Sequence, residues 1–180
     1  MALTATIYQF EIDLADADRG VYESLALRVA RHPSESEEYL LTRVLAYALE
    51  YADGIQFSHG LSEPDEPAIS IRDRTGAFRS WIEIGNPDAA RLHKASKAAP
   101  RVVVYTHKDV ERLTRSLNGE RIHRADALEI YAIDRSLIAA LVSRLDRRLA
   151  FALGVSGGEL FISLGAETLT GVVSRHRLAT

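Results

Sequence analysis

The chain has 180 residues, 47% of them hydrophobic, with no cysteine and a formal net charge of -3. That length supports one domain with a full core and is short for two. Absent cysteine excludes disulfides and thiolate metal sites, and the charge excludes a surface coated uniformly for nucleic acid.

Residues 4–14, TATIYQFEIDL, alternate well enough to predict a strand. A turn cluster, ADADRG, leads to a second strand at 21–32, giving an N-terminal hairpin. The strongest helical pattern covers 35–52, with Ser34 as the expected N-cap, Glu37 three residues on, and Asp53-Gly54 as the stop. After a short apolar piece comes an acidic loop, SEPDEP, at 62–67. AISIRD and AFRSWIEI predict a hairpin joined at RTG.

Asn86 is then the expected N-cap of a helix over 87–99, with Pro87 at its first position. The run RVVVYTH at 101–107 is apolar enough for a strand buried on both faces, so strand, helix and strand form a βαβ unit. A short amphipathic helix follows at 109–119, and LEIYAID predicts another strand. Residues 135–154 carry apolar positions at helical spacing and predict one long helix, and ELFISL with TLTGVV predicts a C-terminal hairpin. The expectation is a single α/β domain over 1–180 with a mixed sheet flanked by helices. No apolar run reaches bilayer length and the N-terminus lacks a signal pattern, so the expected setting is cytoplasmic, away from membrane.

Charge is distributed unevenly. Residues 1–90 hold 7 basic and 16 acidic side chains, whereas 91–124 hold 9 basic and 3 acidic. Solvated helix faces explain this in the plainest way; an anionic ligand meeting the basic segment is the sharper reading.

Three carboxylate positions break the apolar pattern. Glu38 falls inside the apolar arc of the first helix, where either the helix dipole or a site would account for it. Glu83 shares a strand face with Trp81 and Gly85, so it needs an arginine such as Arg79 or Arg91, a metal, or hydrogen-bond donors. Glu63, Asp65 and Glu66 crowd the acidic loop, from which one carboxylate could stand beside Glu83 and share a magnesium ion with it. Arg91 and Lys94 on the next helix are placed to reach back over the end of that strand. The six histidines form no zinc-like spacing, and GVSGGE reads as a glycine-rich turn.

The stretches MALTATIY, ARHPSESEEYLLTRVLAYAL, DEP, WIEIGNPDAARLHKA and VVVYT, in that order, resemble the bacterial YaeQ family. The resemblance implies a variant of the PD-(D/E)XK nuclease core with added N- and C-terminal β-hairpins. It implies Glu38 as the acid of the first core helix, Glu66 (or Asp65) as the first strand acid, and Glu83 as the acid of the (D/E)XK element. Where that motif has its lysine this chain has Gly85, and Lys94 is the candidate substitute. Two functions follow as expectations. One is a binding role without catalysis, towards nucleic acid, another anion or a protein, with a link to transcription. The alternative is a magnesium-dependent phosphodiesterase in which Glu66 and Glu83 hold the ion, Glu38 and Lys94 complete the catalytic set, and Arg91 binds the ligand.

Overall fold

The computed structural model describes residues 4–58 and 65–179. In chain order its elements are β1 (Thr6–Asp16), β2 (Val21–Arg31), α1 (Glu37–Leu49), β3 (Ile55–Phe57), β4 (Ile69–Arg72) and β5 (Phe78–Ile84). Then come α2 (Ala89–Ala98), β6 (Arg101–Thr106), α3 (Val110–Leu117), β7 (Glu129–Ile133), α4 (Arg135–Val142), β8 (Arg148–Ser156), β9 (Glu159–Leu164) and β10 (Glu167–His176). A 3-10 turn, Ala125–Ala127, precedes β7. The chain divides into two compact units: Met1–Val44 with Ile133–Val173, and Leu45–Ala132 with Ser174–Thr180. Both have mixed sheets and helices, in keeping with the α/β class. Among the described residues, no helix is long and apolar enough to cross a membrane.

In the first unit, β1 pairs antiparallel with β2 along its full length, from Thr6 opposite Arg31 to Asp16 opposite Val21. On its other side β1 pairs parallel with β8, from Gln9 opposite Arg148 to Asp16 opposite Val155. β8, β9 and β10 continue as an antiparallel meander. Alternation does the packing: Phe10, Ile12 and Leu14, Leu25, Leu27 and Val29, and Phe151, Leu153 and Val155 are buried, while the residues between them on β1 and β2 are exposed. Gly171 lets β10 approach α4, since a Cβ there would stand 2.8 Å from the Leu137 Cβ.

Here the expected long helix over 135–154 fails. α4 stops at Val142, where Arg144 turns back and donates to the Ala140 carbonyl (2.6 Å). Residues 148–156 are then a strand held on both sides, so tertiary pairing overrides a locally helical composition.

In the second unit β5, β6 and β7 are parallel neighbours, and β4 and β3 add antiparallel strands beyond β5. The β5–α2–β6 unit is the one the sequence predicts. One face of these strands supplies Trp81, Val102, Val104 and Ile130 to a core with Leu92 and Ala95 of α2 and Leu113 and Leu117 of α3. Two caps differ from expectation. Ser36, not Ser34, caps α1, its hydroxyl accepting from Tyr39 N (3.0 Å), while Ser34 bonds its hydroxyl to the His32 ring. Asp88, not Asn86, caps α2 by accepting from Arg91 N (2.8 Å), because the chain turns at Gly85 (φ 88°) and becomes helical only at Ala89. Thr42, Arg43 and Ala46 of α1 are as buried as Leu41 and Leu45.

Candidate functional site

β5 carries Trp81 and Glu83 on one face, two residues apart, as strand periodicity demands. Glu83 is 5% exposed. Its Oε1 accepts from the Trp81 indole N–H (2.6 Å) and from Arg91 Nε (2.8 Å) on α2. The plain alternative for Glu83, pairing with an arginine, is therefore what the fold contains. Burial pushes the Glu83 carboxyl above the usual glutamate range, against the opposing pull of Arg91 and Trp81.

Arg91 does more than neutralise Glu83. Its Nη2 donates to the main-chain carbonyl of Glu66 (2.8 Å), tying the loop before β4 to β5 and α2. One turn along α2, Lys94 pairs with Asp65 of the same loop, and holds the Asp65 carboxyl below its ordinary range. Glu66 borders a cavity of about 230 Å3, lined also by Gln56, Phe57, Pro67, Ser70 and Arg72. Glu38 lies in the first unit, half-buried in the first turn of α1, where its carbonyl accepts from the Thr42 hydroxyl (2.8 Å). Glu63 lies outside the described residues.

Glu83, Arg91 and the Glu66 backbone thus meet directly, and Lys94 is directed to Asp65. A magnesium ion needs carboxylate oxygens free for its shell. Glu83 Oε1 already takes two N–H donors, one of them cationic. Among the described residues, no group of three or more histidine, aspartate or glutamate side chains is placed to hold a metal. Gly85, where the resemblance puts a lysine, has φ 88° and donates its N–H to the Tyr105 carbonyl (2.8 Å). A lysine side chain there would be strained, so the departure has a backbone cause.

The sequence reading missed a second polar cluster, on the opposite face of β6. Arg101 bridges two carboxylates, Nη1 to Glu50 Oε2 and Nε to Glu129 Oε2, both at 2.6 Å. Tyr105 donates to Glu50 (2.7 Å) and Tyr131 to Glu129 (3.0 Å), with the two rings stacked 5.1 Å apart. Burial keeps the Tyr105 phenol well above its ordinary range and thus a donor. The available signal was the alternation Arg101-x-Val103-x-Tyr105 beside Glu129-x-Tyr131, which is hidden when 101–107 is read as uniformly apolar. The first unit has its own buried pair, Arg43 and Glu35 at 3.0 Å.

Around α2 the remaining cations face solvent. Lys97, Arg112, Arg115 and Arg121 are exposed, and no ion pair engages them among the described residues. Desolvation, then the charges of Lys97, Arg121 and His123, hold the His93 imidazole below its ordinary range. The His123 N–H donates to His93 Nδ1 (3.0 Å), which makes Nε2 the protonated nitrogen of the neutral ring.

Comparison with known proteins adds a family match: the model described as YaeQ protein aligns with residues 1–172. Uncharacterised YaeQ proteins of Escherichia coli strain K12 and Salmonella typhi are each 33% identical over 165 residues, 91% of this chain and 91% of theirs. The crystal structure of a YaeQ protein from Pseudomonas syringae is similar at a TM-score of 0.84 and 30% identity, covering 95% of each chain. One from Xanthomonas axonopodis pv. citri is similar at 0.83 and 29%, covering 98% of this chain and 100% of that one.

Proposed function

This chain belongs to the YaeQ family, and we propose that it acts by binding a polyanion, a nucleic acid, without hydrolysing it. The observation that carries this reading is how the charges are used. Glu83 and Arg91 neutralise each other, as do Asp65 and Lys94, and Arg101 is taken up by Glu50 and Glu129. Lys97, Arg112, Arg115 and Arg121 are left to meet a ligand from solvent. Exposed, unpaired cations spread along α2, α3 and the loop after α3 suit phosphates spaced along a chain.

The test is fluorescence anisotropy of labelled single- and double-stranded oligonucleotides across a salt series. Affinity should fall linearly with the logarithm of salt concentration, and the double variant Lys97→Glu, Arg121→Glu should bind at least about tenfold more weakly at low salt. No binding of either oligonucleotide at low salt would reject the reading.

The competing function is a magnesium-dependent phosphodiesterase built on Glu38, Glu66, Glu83 and Lys94, with Glu66 and Glu83 on the ion. It requires Arg91 to leave Glu83 and Lys94 to leave Asp65. Calorimetric titration with magnesium and manganese separates the two functions: saturable heat lost in Glu83→Gln would favour the enzyme, and the binding reading expects none.

A further inference from the structure

The open face of the first unit's sheet carries an unusual row. Gln9, on β1, lies opposite Arg28 of β2 on one side and Arg148 of β8 on the other. All three point away from the buried face that holds Phe10, Leu27 and Leu149's neighbour Phe151. Neither the Arg28 nor the Arg148 side chain makes an ion pair or hydrogen bond among the described residues. The next row along the strands is Ala26, Glu11 and Ala150. The small alanines leave a trough of about 430 Å3, bounded by Arg28 and Arg148 and floored by Ala26, Ala150 and Gln9.

We propose that this trough binds a small organic anion, its phosphate or carboxylate group held between Arg28 and Arg148 over the Gln9 amide. Strands separated by one other strand lie about 10 Å apart, a gap that two arginine side chains can close onto one anionic group. Guanidinium groups favour planar, bidentate contact with carboxylate and phosphate oxygens. The volume suits a ligand of metabolite size, and the alanine floor gives an apolar body somewhere to lie.

Charge decides against a long polyanion here. Glu11 lies in the trough itself, Asp13 is two residues further along β1, and Glu159 is on β9 of the same face. A nucleic acid running along the strands would cross these carboxylates, whereas a single anionic group at the Gln9 row avoids them. Glu11 also selects for a ligand whose far end carries a donor or a positive charge.

The test titrates inorganic phosphate, phenyl phosphate and benzoate into the whole protein, following backbone amide shifts by NMR. Saturable shifts are expected at residues 9–11, 26–28 and 148–150, with phenyl phosphate tighter than inorganic phosphate. Phosphate preferred to benzoate would identify the phosphoryl source, and the reverse a carboxylate. Arg28→Ala and Arg148→Ala should each weaken binding about tenfold or more. Glu11→Gln should tighten it, and Lys97→Glu, Arg121→Glu should leave it unchanged, which keeps this site's failure distinct from that of the exposed cations around α2 and α3. All these side chains are exposed, so the variants should fold, as a thermal melt checks. Shifts that do not saturate, binding indifferent to both arginines, or tighter binding of oligothymidylate than phenyl phosphate at these amides would overturn the proposal.

Discussion

Glu83 sits with its side chain 6% exposed among apolar strand neighbours, so ionising it there costs the folded state more than the unfolded chain. Its folded pKa is raised, and the native protein therefore binds the proton more tightly than the denatured one. The stability this supplies is fully present below the unfolded value of 4.5 and is lost as pH rises through the raised folded value. Glu83→Gln keeps an acceptor for Trp81 and Arg91 and removes the titration. In urea unfolding, the variant should gain stability relative to wild type between pH 4 and pH 7; a difference independent of pH would contradict the raised pKa. Alternation in WIEIG was enough to place Trp81, Glu83 and Gly85 on one face. It did not reveal that Glu83 would accept from its neighbour's indole two residues back, because that depends on side-chain rotamers and on where α2 packs.

At the scale of elements, α2 depends on a residue far from it in sequence. Arg124 Nη2 donates to the carbonyls of Ser96 (2.6 Å) and Ala99 (2.9 Å), closing the helix C-terminus. It does so from a left-handed backbone, φ 52°, the one positive φ outside glycine among the described residues. Cap and strain act in opposite directions and can be separated. Arg124→Ala loses the cap and keeps the strain, whereas Arg124→Gly loses both the cap and the strain, so the glycine variant should be more stable than the alanine variant by about 1 kcal/mol in thermal or urea unfolding. Equal stabilities would mean that the turn relaxes once the guanidinium is gone. The helix itself was legible from its apolar stripe, but its start was not. Asn86, Pro87 and Asp88 are all acceptable near an N-terminus, and only the turn at Gly85 decides among them.

At the scale of the molecule, the first unit is assembled from segments at opposite ends of the chain. β1 and β8 meet with Gln9 opposite Arg148, and the adjoining turns are clamped by Asp18, whose carboxylate accepts from Gly157 N (2.8 Å) and Gly158 N (3.1 Å). Pairing at such separation must close a long loop before any contact forms. A chain ending at residue 144 would lack β8, β9 and β10 and leave the β1–β2 hairpin without its parallel neighbour. Two strands alone are marginal in water. This truncation should lose the near-ultraviolet circular dichroism of the first unit's aromatic residues and bind a hydrophobic dye. Retention of native-like methyl shifts for Ile12 and Leu14 would contradict this dependence.

Sequence alone determined what depends on near neighbours. The N-terminal hairpin, the β5–α2–β6 unit and the face on which Glu83 lies follow from periods of two and 3.6 and from turn residues, which act over a few positions. Tertiary structure decided the rest. Residues 148–153, with two leucines and two alanines, can form a helix locally, yet backbone hydrogen bonds to β1 and β9 make 148–156 a strand. The charged residues likewise found their partners only in three dimensions: Glu83 with Arg91, Arg101 with Glu50 and Glu129, and Arg43 with Glu35. A buried charge must be neutralised, but Coulomb attraction depends on distance in space, which the order of residues along the chain does not specify.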